Sequence, residues 1–182
     1  MSDYLRGAVQ IPIERKHLAN ARRWAAAVAD KYDADIEVNE ASLYIVIRPG
    51  PKITVDGLLK LRDMARAISL GFPPEEALKL EKEGYYLDSL DLKEYADRPN
   101  HLARIKGRII GENGRAKATI EALTGAKIIV GERHVAILGP ADAVLLAREA
   151  ITMLIEGRRH STVYKYLQRA RPGGVEGAKE GY

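Results

Sequence analysis

The stretch Leu102-Ala103-Arg104-Ile105-Lys106-Gly107-Arg108-Ile109-Ile110-Gly111-Glu112-Asn113-Gly114-Arg115-Ala116-Lys117-Ala118-Thr119-Ile120 holds the residues best suited to chemistry. Gly111 and Gly114, three apart, interrupt an otherwise helical pattern. Without a Cβ they take left-handed dihedrals cheaply and let another backbone come close. The turn feeds a helix start, where unpaired N–H groups and the positive end of the dipole attract anions such as phosphate. Arg104, Lys106, Arg108, Arg115 and Lys117 surround it. Ile109, Ile110 and Ile120 lie beside that charge as apolar surface on which a flat ring can rest. This is chemistry of recognition, not of bond making.

Other chemistries fail on residue type or spacing. The chain has no cysteine, and His17, His101, His134 and His160 show no metal-ligand spacing, so no metal or catalytic residue is assigned and no cofactor is called for. The run from Gly107 to Gly111 is neither G-x-x-x-x-G-K-[ST] nor G-x-G-x-x-G, which removes the nucleotide-hydrolysing and dinucleotide-binding readings. Glu75, Glu76, Glu81 and Glu83 read as a solvated helix face and linker. His160 and Tyr164, four apart, read as capping and packing groups.

The 182 residues suit one domain or two small ones, and 46% hydrophobic against 30% charged is an ordinary globular balance. No apolar run approaches the roughly 20 residues of a membrane span. Met1–Arg6 lacks a signal-peptide pattern, so a cytoplasmic protein is expected. The net charge of +4 is unevenly spread. Residues 1–97 carry 14 Lys+Arg against 17 Asp+Glu, and residues 98–182 carry 15 against 8. A basic half suggests a polyanionic partner, although lysines and arginines that only solvate helix faces would give the same count.

The elements that must position the turn come in two similar sets. The first half reads as strand 9–13, a helix with Leu18, Ala21, Ala25, Val28 and Tyr32 on one face, strands 35–38 and 43–47, and a helix capped by Asp56. The second reads as strand 86–92, a helix from Pro99, the glycine turn, a helix stopped by Thr124-Gly125, strands 127–130 and 134–138, and a helix 140–155. At an offset of 86, Asp56 pairs with Asp142, Arg62 with Arg148 and Gly71 with Gly157. At 92, Ile36 pairs with Ile128 and Ile45 with Ile137. Both halves are therefore expected to be α+β units of β-α-α-β-β-α order, with helices on one face of a three-stranded antiparallel sheet. The expected boundaries are 1–82, 83–171 and a mobile Gly-rich tail at 172–182.

Ile109-Ile110-Gly111-Glu112-Asn113-Gly114-Arg115, followed by Ile120 and Thr124-Gly125-Ala126-Lys127-Ile128, resembles the core of a type I, eukaryotic-type KH domain. The resemblance implies that Gly111, Glu112, Asn113 and Gly114 clamp the backbone of about four single-stranded nucleotides. Arg104, Lys106, Arg108, Arg115 and Lys117 would add charge, Ile109, Ile110, Ile120 and Ile128 would floor the groove, and Arg133 would close it from the last strand turn. Glu112 departs from tight-binding loops, which carry a basic residue there. In the first half no glycine falls between Gly7 and Gly50, and Ala19–Arg22 reads as unbroken helix, so this copy is expected to have lost its clamp. Trp24 and Phe72 read as core or domain-interface groups and not as base-stacking platforms.

Over nearly the whole length, tandem units with His101–Gly111 and Glu156–Leu167 are similar to the family of archaeal and eukaryotic small-subunit ribosome biogenesis factors that partner the Nob endonuclease. That resemblance implies binding near the 3′ end of small-subunit ribosomal RNA, and the chain is expected to be a monomeric, non-enzymatic protein. It also implies contact with the alpha subunit of translation initiation factor two. The alternative is a protein-docking scaffold with weak RNA contact. A nuclease lacks convergent carboxylates.

Overall fold

Alternation shapes the first strand: in β1 (Val9–Pro12) only Ile11 is buried, and Ile13 follows it inward. The computed structural model describes residues 7–170; the segment 1–6 and the expected tail at 172–182 lie outside the described residues. The chain forms two compact units that divide between Glu83 and Gly84. No helix among the described residues is long and apolar enough to cross a membrane.

In the first unit, α1 (Leu18–Val28) buries Leu18, Ala21, Trp24 and Val28, one residue per turn on a single face. The hairpin of β2 (Ala34–Asn39) and β3 (Tyr44–Pro49) turns with Leu43 at φ +59°, and the Asn39 carboxamide oxygen accepts from the Ser42 N–H at 3.0 Å. Both β1 and β2 pair antiparallel with β3, giving the order β1-β3-β2. Next, α2 (Val55–Leu70) is capped by Thr54, whose hydroxyl accepts from the Gly57 N–H at 3.0 Å. Asp56, the expected cap, lies within the first turn of the helix and pairs with Lys60 at 3.1 Å. A short α3 (Pro74–Ala77) follows and runs on into a 3₁₀ helix over Leu78–Glu81.

The second unit runs β4 (Tyr85–Asp91), α4 (Pro99–Ile110), α5 (Arg115–Thr124), β5 (Lys127–Val130), β6 (His134–Pro140), α6 (Ala141–Ile155) and α7 (His160–Ala170). Its sheet has the matching order β4-β6-β5, again antiparallel. Ile128 and Ile137 face each other across β5 and β6 and join one core with Ile105, Ile109, Ile120 and Leu154 from the helices. Arg148 reaches Asp88 at 2.6 Å, pinning α6 to β4, and that bond holds the guanidinium pKa above its ordinary value.

Three expectations need correction. The first unit has the order β-α-β-β-α-α, with α1 running unbroken through a glycine-free connection where the second unit places two helices and a turn, and with the short α3 added after α2. The isoleucines aligned at an offset of 92 do not share rungs, since Ile36 lies opposite Ile47 but Ile128 opposite Ile137. The second unit also carries an additional helix, α7, whose buried Val163 and Leu167 complete its core.

Candidate nucleic-acid interface

Helix α4 stops at Gly111, whose N–H still reaches the Gly107 carbonyl at 2.8 Å while its own dihedrals turn to φ 75°, ψ 172°. That region is open only to glycine. Space adds a second demand: a Cβ on Gly111 would stand 2.7 Å from the Ala116 nitrogen and 2.6 Å from its Cβ. Asn113 (φ 54°, ψ 28°) and Gly114 (φ 74°, ψ 12°) are left-handed as well, and Gly114 donates to the Gly111 carbonyl at 3.2 Å. Nothing lies within 4 Å of where a Gly114 Cβ would be, so that side of the turn is open. No side chain caps the start of α5, which leaves its positive end facing the opening.

The expected site residues fall into three groups. Glu112, Asn113 and Arg115 are exposed at the turn, and Gly111 and Gly114 are half-buried there. Arg104 and Arg133 are exposed, Arg104 in a polar cleft of about 360 Å³ at the start of α4 with Asp97, Arg98, Asn100 and His101. A second group is tied into the fold. Lys106 donates to the Glu132 carbonyl at 3.3 Å, joining α4 to the β5–β6 turn. Lys117 pairs with Glu121 at 3.7 Å along α5. Arg108 donates through Nε to the Leu154 carbonyl at 2.9 Å and through a terminal nitrogen to the Arg158 carbonyl.

The third group leaves the surface. Ile109, Ile120 and Ile128 are at most 1% exposed and belong to the core, so they back the groove and offer no face to a base. Of the expected floor only Ile110 is half-buried; Leu102 and Val130, packed on the same core, also keep part of their surface exposed. These isoleucines are assigned by position from the KH resemblance, and the apolar pattern that marks a helix face marks its core side first. Arg98 and His101, which are not among the expected site residues, line the same cleft as Arg104 at the start of α4. His160 serves packing, as expected: its Nε2 donates to the Arg108 carbonyl at 2.8 Å, and its ring lies 6.2 Å from Tyr164. Among the described residues, no group of three or more His, Asp or Glu side chains could hold a metal.

The sequence pattern of the second KH domain of Pno1 proteins, a eukaryotic-type (type I) KH domain, matches residues 86–172. A KH domain-containing protein of Methanocaldococcus jannaschii is 46% identical over 112 residues, covering 62% of this chain and 49% of its own length. The chain thus spans about half the length of the curated relatives it matches, which include proteins named RNA-binding protein pno1 in Drosophila melanogaster and pre-rRNA-processing protein PNO1 in Saccharomyces cerevisiae. Among solved structures, a protein of unknown function from Aeropyrum pernix is 40% identical, with a TM-score of 0.82 covering 91% of this chain and 90% of that one. The complex of initiation factor subunit a/eIF2alpha, aDim2p and rRNA from Pyrococcus horikoshii matches with a TM-score of 0.80 and 28% identity, covering 92% of this chain and 95% of that one. Residues 86–172 are thus a KH domain of the eukaryotic type found in Pno1 proteins, and the chain as a whole is similar to the Pno1 and Dim2p proteins.

Proposed function

We propose that the protein is a monomeric, non-enzymatic, cytoplasmic RNA-binding factor of small-subunit ribosome maturation, holding single-stranded rRNA near its 3′ end. The second unit is its working KH domain, over residues 83–171, and the first, over 1–82, a KH domain whose clamp is gone. The observation that carries this reading is the turn itself: three residues at positive φ, open on the Gly114 side, at an uncapped helix start beside Arg115. Backbone amides and one cation at such a place suit a phosphate, and unpaired nucleotides can then lay their bases toward Ile110, Leu102 and Val130. Glu112 keeps the intrinsic affinity modest. The relatives' names point to rRNA as substrate, and the Pyrococcus complex to the alpha subunit of initiation factor two as a partner. The Nob endonuclease is the further partner expected of the family.

The test is the pair Glu112→Asp with Asn113→Asp, read by fluorescence anisotropy on a labelled single-stranded oligonucleotide. Asp tolerates the left-handed dihedrals of Asn113, so the fold stays intact while two carboxylates face the phosphates. Binding should fall at least a hundredfold. In the parent, log K should drop with log[salt] at roughly −2 to −3, since each single-strand phosphate contributes about −0.7. Unchanged affinity in the double variant rejects the clamp and favours the docking-scaffold alternative.

A further inference from the structure

We propose that Arg108 and His160 form a latch that positions the Gly111–Gly114 turn, with α7 as its brace. The latch rests on the reading of that turn as the RNA clamp. Arg108 lies in the last turn of α4, three residues before Gly111. Its side chain donates to the carbonyls of Leu154 and Arg158, and its own carbonyl accepts from His160 Nε2 at 2.8 Å. One residue thereby joins the end of α4 to the end of α6 and the start of α7.

Each of these contacts answers a local need. The last carbonyls of α4 have no partner within the helix, and His160 satisfies one of them. Helix α6 ends in a Schellman motif, with Gly157 at φ 95°, its N–H on the Leu154 carbonyl at 3.1 Å and the Arg158 N–H on the Met153 carbonyl at 3.0 Å. That end carries the negative pole of the α6 dipole, where a guanidinium is favoured. On the far side of the turn, Val163 and Leu167 of α7 are fully buried in the core that holds Ile120 of α5. Residues 154–167 therefore grip both helices that flank the turn.

A loop ordered before its ligand arrives loses less entropy on binding, so the latch raises affinity without touching RNA. Arg108 is half-buried and committed to two carbonyls, so it is a positioning residue and not a phosphate contact.

The full chain should be titrated with the same oligonucleotide as Arg108→Ala, His160→Ala and His160→Gln. Both alanine variants should bind about tenfold more weakly, with the salt slope unchanged and the amide order parameters of Gly111–Gly114 lowered. His160→Gln, whose amide can still donate to the Arg108 carbonyl, should recover most of the loss. Parent-like affinity in both alanine variants overturns the latch. So does a slope shallower by about 0.7 in Arg108→Ala, the mark of a lost phosphate contact. If Arg108→Ala fails to fold by circular dichroism, the His160 pair decides alone. The Glu112→Asp, Asn113→Asp variant run alongside separates the failures: if it also binds like the parent, the clamp has failed, and if only it loses binding, the latch has.

Discussion

The two units share a sheet order and the way their long helix stops. In the first, Gly71 at φ 112° lets the Phe72 N–H reach the Ala67 carbonyl at 3.0 Å; in the second, Gly157 does the same for Arg158. Both stops are Schellman motifs, at the offset of 86 that relates the sequences. The residue just past the stop differs. Phe72 is buried in its unit, whereas Arg158 stays exposed and lends its carbonyl to Arg108. The connection between the first two strands differs more. The first unit runs one helix through the segment where the second opens the glycine turn; Arg22 on that helix and Arg115 after the turn are both exposed, and Arg22 is paired with Glu40 at 2.9 Å. The scaffold is thus common to both, and the proposed binding geometry belongs to one connection and its brace.

Three measurements can break or sharpen this division. The largest effect is expected from Trp24→Ala, which empties the centre of the first unit and should cost about 3–5 kcal/mol in urea denaturation. The Trp24 indole N–H is buried with no partner among the described residues, so Trp24→Phe should cost much less. RNA affinity should survive both changes. A parallel loss of affinity would mean that the units act as one and that RNA binding does not reside in the second alone.

The next effect compares the two glycines of the turn. Gly111→Ala meets the Ala116 backbone and a glycine-only dihedral, so it should destabilise the second unit by about 3 kcal/mol. Gly114→Ala meets open space in a tolerable left-handed conformation and should cost about 1 kcal/mol. Equal losses would mean that the turn is not strained where the dihedrals place the strain.

The smallest effect is a pH signature confined to the first unit. Burial, and then the nearby Glu81 carboxylate whose oxygen the Tyr32 hydroxyl meets at 3.2 Å, push the Tyr32 pKa up to about 12. The folded chain therefore keeps a proton that the unfolded chain releases near pH 10. The stability this gives is complete below pH 10 and disappears as the pH rises towards 12. Tyr32→Phe should flatten that alkaline decline in the urea midpoint; an unaltered decline would assign it to other groups.

Much of this was legible residue by residue. Pro99 began α4, Thr124-Gly125 ended α5, and Trp24 and Phe72 went to the core, because helix punctuation and large apolar volume act locally. The glycine pair marked the turn for the same reason: dihedral freedom belongs to the residue. The role of Arg108 was not legible, since it stands among five cations that composition treats alike, and its partners lie some fifty residues away. Neither was the burial of Ile109, Ile120 and Ile128, since an apolar residue near a turn can face the core or the groove with equal local propriety.

Local rules thus determined the elements, the repeat and the position of the turn, because each depends on neighbours within a few residues. Only the tertiary structure decided which cations face solvent and which hold helices together, and which isoleucines keep exposed surface. Those outcomes depend on long-range packing: α7 and the end of α6 fold back on α4 and take Arg108 out of the set that chain order alone would offer to phosphate.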